Sequence, residues 1–483
     1  MTFLRSAIFK LIAIMKTAHP KLHGTTPSLD RTGARPHREG WRGRDGCGTL
    51  GWIALLIVLQ VSTLAEGRYK QKVSSEIQAR TGYGLEPSPG VGPEPHIPPG
   101  TALEDGLTEE ESVALALWNN ATLRETLAGL GLAQADLAEA GLLVNPHFQV
   151  LFPVGIKPLE LLLIAPIQAL WERPKRVASA QLTLESVGQQ LVQNGLNLVR
   201  DVRLAYADYA ALLDQTHLTE GLIDLTEEIA ELYAKRLEAG DIGTQDLQLA
   251  RLEAISARDR AVRVRQDADV AWERLRTLIG LPVGTPPVLP TGLTRPAPLP
   301  TSDDTLVQTA YRARPDLRGA ELAVESAGKR LGWVQAKTFA MVAPLLSSKE
   351  VGNSGLKSGP GISADIPFFD RGQGRISRSK AELEQLALRY VALKVQIASE
   401  TVTAAMRLRQ EQDTLERLQH EALPAAEEAV RLSQRAYDAG EISYLEVQLA
   451  KRPLVELQLR EAIALAGVRK ARAELDRAVG EHL

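Results

Sequence analysis

From Lys175 to Ala239 the chain runs sixty-five residues without a proline, and that one stretch limits the folds open to it. At roughly 1.5 Å per residue a helix over it is about 100 Å long, far beyond the usual helix of a compact domain. Leu184, Leu191, Leu198, Ala205 and Leu212 recur every seven residues, and Leu218, Leu225 and Leu232 resume the spacing after a one-residue slip. Such a seam belongs to long helices packed side by side. Gly240 ends it, being free to adopt positive φ at a helix terminus. A return helix is expected from about Gly243 to Gly280.

The same arrangement occurs twice. Leu237 to Ile242 reads Leu-Glu-Ala-Gly-Asp-Ile, and Tyr437 to Ile442 reads Tyr-Asp-Ala-Gly-Glu-Ile, at an offset of 200. Gln248, Leu249 and Ala250 face Gln448, Leu449 and Ala450 in that register, and Ala271, Leu275 and Gly280 face Ala471, Leu475 and Gly480. Leu170-Trp171-Glu172-Arg173 matches Phe368-Phe369-Asp370-Arg371, and Leu123-Arg124 matches Leu317-Arg318, at slightly different offsets. The chain is therefore two copies of one unit, not an array of short repeats. Its expected divisions are a leader at 1–65, a Pro/Gly-rich extension at 66–106, a first repeat at 107–280, a Pro-rich linker at 281–300 and a second repeat at 301–483. Each repeat should hold a helix, a strand pair, a long helix, a tip turn and a return helix. In the first, Thr108-Glu-Glu-Glu111 is a capping box that opens a helix to about Leu143, where Asn145-Pro146 breaks it.

A helix this long buries only one side against its own chain. The helices before the break and after the glycine turn can stack end to end beside it, and several chains must then assemble into a closed helical cylinder. Composition fits an exported, folded protein. The residues are 44% hydrophobic and 24% charged, which excludes disorder for the bulk of the chain. A net charge of −3 gives no footprint for nucleic acid. Arg31, Arg35, Arg38, Arg42 and Arg44 precede an uncharged run that includes Trp-Ile-Ala-Leu-Leu-Ile-Val-Leu, a basic and then an apolar region. This reads as a secretory signal, with an uncleaved anchor as the alternative. The single cysteine, Cys47, precedes the apolar run, whereas a lipidated one would follow it.

Outside the leader all five phenylalanines, Phe148, Phe152, Phe339, Phe368 and Phe369, fall in the two breaks between helices, with Trp171 and Trp333 on the flanks. Phe148, Val150 and Phe152 alternate, as do Ile362, Ala364, Ile366 and Phe368, a strand pattern with an aromatic girdle. Strand pairs are expected near 145–170 and 337–369. Leu161 to Ile164 does not alternate, and Pro166, Pro344 and Pro367 suit a central strand poorly.

The duplicated order, with Asn145-Pro146, Leu170-Trp171-Glu172-Arg173, Arg314-Pro315-Asp316, Phe368-Phe369-Asp370-Arg371-Gly372 and the two Ala-Gly-Asp/Glu-Ile turns, resembles the TolC-like outer membrane efflux family over nearly the whole mature chain. The Asn-Pro and Phe-Asp-Arg-Gly-Gln variants look nearest to its heavy-metal branch. The resemblance implies a mainly α fold with a small membrane β-barrel. Duplicated helical hairpins of three chains form an α-barrel, and four strands per protomer contribute to a twelve-strand barrel. It further implies a homotrimer in outer-membrane lipid, joined through a periplasmic adaptor to an inner-membrane pump of RND type.

On that reading Gly240, Asp241, Gly440 and Glu441 are the adaptor-docking tips. Asp246 and Glu446 are candidates for an acidic constriction, against the plainer reading of solvated turns. The histidines are dispersed, no Cys or His cluster and no phosphate-cradling glycine loop is present, and His147 alone makes no ligand set. No enzyme activity, cofactor or nucleic-acid partner is expected. A membrane-anchored periplasmic adaptor would need a β-rich lipoyl-like domain, which the sequence lacks. A coiled-coil structural protein would not need the duplicated aromatic strands.

Overall fold

The structure, a computed structural model, describes residues 69–85, 95–99, 101, 106–152, 159–296, 302–339, 342–351, 355–364 and 369–482. The leader with Cys47, together with Ile366, Pro367 and Phe368, lies outside the described residues. The elements are α1 (69–81), α2 (Glu109–Asn119), α3 (Ala121–Gly141), β1 (His147–Leu151), β2 (Glu160–Ile164), α4 (Ala169–Glu238) and α5 (Thr244–Ile279). The second repeat follows as α6 (Asp303–Ala313), α7 (Pro315–Phe339), β3 (Val342–Glu350), β4 (Leu356–Ala364), α8 (Gln373–Arg417), α9 (Leu423–Asp438) and α10 (Tyr444–Val479).

The 70-residue α4 is the spine. Both α3 and α5 pack on it, as do α7 and α10, while α8 and α9 close on α7 and α10. The helical layer thus runs from an edge of α3 and α5, through α4, then α7 and α10, to an edge of α8 and α9. End-to-end stacking beside the long helix is what the residue counts required.

Several boundaries depart from the sequence reading for local reasons. The helix expected from Glu109 to Leu143 is two helices, parted at Asn120, whose backbone is extended and whose side chain accepts from the Leu123 N–H at 3.0 Å. Asparagine competes with the helical backbone in this way and restarts the helix as a cap. The spine begins at Ala169, ahead of Lys175, and carries Pro174 near its start, where the missing donor costs one hydrogen bond. Its counterpart in the second repeat is interrupted by a π-turn at Leu418–Ala422, two residues before Pro424. The first repeat has Asp224 at that point. The expected 337–369 strand region starts later, at Val342, because α7 continues through Phe339. The non-alternating Leu161 to Ile164 is nonetheless strand.

The extension expected at 66–106 contributes α1, whose Val73 and Ile77 join the largest apolar core with Leu115, Leu130, Leu184 and Val192. Ile77 is fully buried, and its Cδ1 lies 3.0 Å from where a Cβ on Gly195 would stand, so that glycine is the notch that admits it. Leu107 bridges Pro290 of the linker, and the Tyr206 hydroxyl donates to the Leu107 carbonyl at 2.9 Å.

Each repeat is locked where its short helices meet the end of its return helix. In the first, Asn120 Nδ2 donates to the Leu278 carbonyl at 3.0 Å, and Gly280, at φ +74°, lies against Asn119. In the second, Arg314 Nη1 donates to the Ala478 carbonyl at 3.3 Å, and Gly480, at φ +91°, lies against Arg314. The Arg314 side chain is 1% exposed, with ion pairs to Asp316 at 2.6 Å and Glu400 at 2.8 Å. Glu400 also pairs with Arg477 at 2.7 Å. Burial pushes the Glu400 carboxyl up, but hydrogen bonds from Arg314 and Gln396 and the neighbouring guanidinium charges outweigh it and hold it below the ordinary carboxylate range.

Candidate functional site

The four strands form one antiparallel sheet in the order β1-β2-β3-β4. Register sorts its residues by face. Phe148, Leu163, Leu346 and Pro360 make one row across all four strands, flanked by Val150 opposite Leu161 and by Pro344 opposite Ile362. The other face carries His147, Gln149, Glu160, Ser347, Lys349 and Lys357 together with Leu162, Ile164 and Leu345, and Lys349 pairs with Glu160 at 2.8 Å; Ser348, Ser358 and Glu350 lie on the Phe148 face toward the β3–β4 connection. Pro344 is tolerated because it stands just past the last β2–β3 pair, Ile164 with Leu345, and its carbonyl accepts from Ala165 at 3.2 Å.

Neither face is covered as a soluble sheet requires. β1 is exposed along its whole length, Phe148 is 61% exposed and Ile362 74%. β1 and β4 are edges with no partner strand among the described residues. Such an arrangement is stable in water only if other chains or lipid complete it. β3 and β4 span nine residues each, the length that crosses a hydrocarbon layer as a tilted strand.

Of the expected girdle, Phe148, Phe152 and Trp171 are exposed, and Phe369 is exposed just before α8. Phe339 ends α7 rather than starting a strand. Trp333 is half-buried on α7, with Nε1 3.4 Å from Glu172 Oε2 and Lys337 Nζ 5.8 Å from its ring centre. Its position is that of a helix-packing residue.

At the opposite end of α4 the two tip turns are built alike. Gly240 adopts φ +80° and Gly440 φ +77°. Gly240 N–H donates to the Leu237 carbonyl and Asp241 N–H to that of Arg236; Gly440 and Glu441 repeat this with Tyr437 and Ala436. These paired bonds close the helix end through a left-handed residue. The carboxylates expected at a constriction are engaged in capping. Asp246 accepts from Gly243 N–H at 3.2 Å, and Glu446 accepts from both the N–H and the hydroxyl of Ser443. The Ser443 backbone bond, followed by the hydroxyl bond, pulls the Glu446 carboxyl below its ordinary value. Asp241 and Glu441 stay exposed. The two hairpins are tied by the Tyr444 hydroxyl donating to Glu228 at 2.9 Å and by Arg452 pairing with Glu253.

The edges of the helical layer are apolar where they should be polar. Leu252, Ile255, Val262 and Val270 are exposed on α5, and Leu388, Val391, Val395 and Met406 on α8. Among the described residues no helix is long and apolar enough to cross a membrane, and no group of three or more His, Cys, Asp or Glu is placed to hold a metal.

Comparison with known proteins agrees with this geometry. The family described as Outer membrane efflux protein matches residues 166–281 and 306–481. The cobalt-zinc-cadmium resistance protein CzcC of Cupriavidus metallidurans is 24% identical over 393 residues, covering 77% of this chain and 90% of CzcC. The CmeC outer membrane channel of Campylobacter jejuni superposes with a TM-score of 0.65 at 12% identity, over 82% of this chain and 91% of CmeC. CusC, whose crystal structures concern folding and transmembrane channel formation, superposes with a TM-score of 0.62 at 18% identity, over 81% of this chain and 98% of CusC.

Proposed function

Because this chain belongs to the outer membrane efflux protein family, we propose that three copies close into the passive exit duct of a tripartite export system. Each would receive substrate from a periplasmic adaptor and an RND-type inner-membrane pump. The chain is an outer-membrane efflux protein, not an enzyme. The observation that carries the closed-duct reading is the open sheet: two edges free among the described residues, and a face turned outward with Phe148, Leu163, Leu346 and Ile362, behind which stand Glu160, Lys349 and Lys357. Closing such sheets edge to edge removes the free edges, sets Phe148, Leu163, Leu346 and Ile362 toward lipid, and leaves Glu160, Lys349 and Lys357 lining water. Three protomers would give a twelve-strand barrel over an α-helical tunnel. The likeness to CzcC supports heavy metals as substrate class.

The tip turns are the adaptor-docking sites in this reading, since both repeats present the same exposed glycine corner with space around it. Gly240→Trp combined with Gly440→Trp should abolish export while the detergent-resistant oligomer persists in the outer-membrane fraction. The matching double alanine variant meets the same positive-φ strain, about 1–2 kcal/mol per site, and should retain export. Unchanged export in the tryptophan variant would refute the docking assignment, and an oligomer absent from the outer membrane would refute the duct.

A further inference from the structure

We propose that the end of the sheet remote from the helices is an anion-binding ring. In it Lys349 and Lys357 of each copy bracket a small inorganic anion such as phosphate and favour anions at the exit of the duct. The inference rests on the duct reading and assigns a chemistry to its outer mouth.

The register sets the two lysines side by side. β1 and β3 run away from the helical layer, and β2 and β4 return to it. The pairs Leu151 with Glu160, Glu160 with Lys349 and Lys349 with Lys357 therefore form one row across all four strands, at the far end of the sheet. Directly opposed residues hold their Cβ atoms about 4.5–5.5 Å apart on one face, which brings both ammonium groups within reach of a single anion. Without one, like charges so placed repel and weaken the pairing. Glu160 relieves this only in part, since it pairs with Lys349 at 2.8 Å and stands two strands away from Lys357. Lys357 is exposed, and among the described residues no carboxylate pairs with it. Glu350 lies on the opposite face, across from Leu356.

The chain supplies no further negative charge at this level. The connections at that end, residues 152–159 and 351–355, contain no Asp or Glu, and their one ionisable residue is Lys157. When the sheets close edge to edge, β4 meets β1 of a neighbouring copy, and β1, His-Phe-Gln-Val-Leu, brings no carboxylate either. The row thus keeps two lysines to one glutamate in every copy. Among the described strand residues this face carries no other Lys, Arg, Asp or Glu. An ion passing through the sheet meets fixed charge at this row, and a ring of fixed charge selects by sign. Free cations outside meet the same ring as a barrier to entry.

Single-channel recording of the purified oligomer, with inorganic phosphate added to both chambers at fixed ionic strength, tests this. Phosphate should lower the chloride current of the parent. Lys357→Gln should abolish that effect and move the reversal potential in a salt gradient toward the cation's, whereas Lys357→Arg should keep the parent behaviour. Glu160→Gln releases Lys349 and should lower the phosphate concentration needed severalfold. Asp241 and Glu441 are exposed at the opposite tips and bear on the absolute selectivity, so the variants are compared with the parent. Equal responses of parent and Lys357→Gln to phosphate, or a weaker response in Glu160→Gln, would overturn the anion site while leaving the duct standing. No current from the intact oligomer would overturn the duct, and this inference with it.

Discussion

Replacing Arg314 with alanine is expected to lower stability by about 3–5 kcal/mol, because it leaves two carboxylates facing a buried space without their cation. Asp316 and Glu400 are 16% and 26% exposed; Asp316 is left with the Leu317 N–H at 2.8 Å in place of its cation, while Glu400 keeps Arg477 and Gln396. The Ala478 carbonyl loses the Arg314 donor as well and keeps the Thr401 hydroxyl at 3.3 Å. Lysine should recover part of the loss, since it restores the charge without the forked geometry that reaches both carboxylates. Denaturant midpoints of the detergent-solubilised protein, read by circular dichroism, measure the effect; a change under about 1 kcal/mol would deny Arg314 its locking role. The same hub should govern acid sensitivity. Glu400 is held below its unfolded value of about 4.3, so its contribution is present above that pH and is lost as the pH falls through the lower, folded value. Glu400→Gln should remove that part of the pH dependence.

Gly280→Ala should be nearly as damaging, for a steric reason. The backbone there is left-handed, which costs an alanine about 1–2 kcal/mol. A Cβ would also stand 2.6 Å from the Asn119 Cβ and 2.7 Å from its carbonyl oxygen. Forcing a methyl into filled space adds about 1–3 kcal/mol. Gly240→Ala has nearly the same φ but nothing within 4 Å of the new atom, so it should show the conformational cost alone. The difference between the two variants isolates the packing of the first repeat's lock. Equal midpoints for both would mean that Asn119 yields freely and that the lock is not tight.

What could be read from the residues was what is encoded locally or twice. The proline-free seam of α4, the glycine turns and the alternation around Phe148 each depend on neighbours a few positions away, and the second copy repeated the message. The Arg-Pro-Asp motif was visible as a motif, but its purpose was not. Arg314 meets Glu400 and the Ala478 carbonyl only after α6, α8 and α10 have packed. The break at Asn120 has no glycine or proline to announce it, and nothing stops α7 before Phe339. The role of Glu446 was legible and passed over. Ser443-Tyr-Leu-Glu446 is the same capping pattern as Thr108 to Glu111, so that carboxylate was committed to its own helix end. The π-turn lay hidden because a proline following it looks no different from one that opens an ordinary helix.

The central claim is that the open sheet and the bare helical edges are completed by further copies of the same chain around a water-filled axis. Single-channel recording of the purified oligomer in a planar lipid bilayer tests it most directly. The account predicts discrete, ohmic conductance steps from the oligomer, altered in ion selectivity by Lys349→Glu with Lys357→Glu, and none from the dissociated chain. An oligomer that inserts and passes no current, or a current indifferent to those two charges, would contradict it.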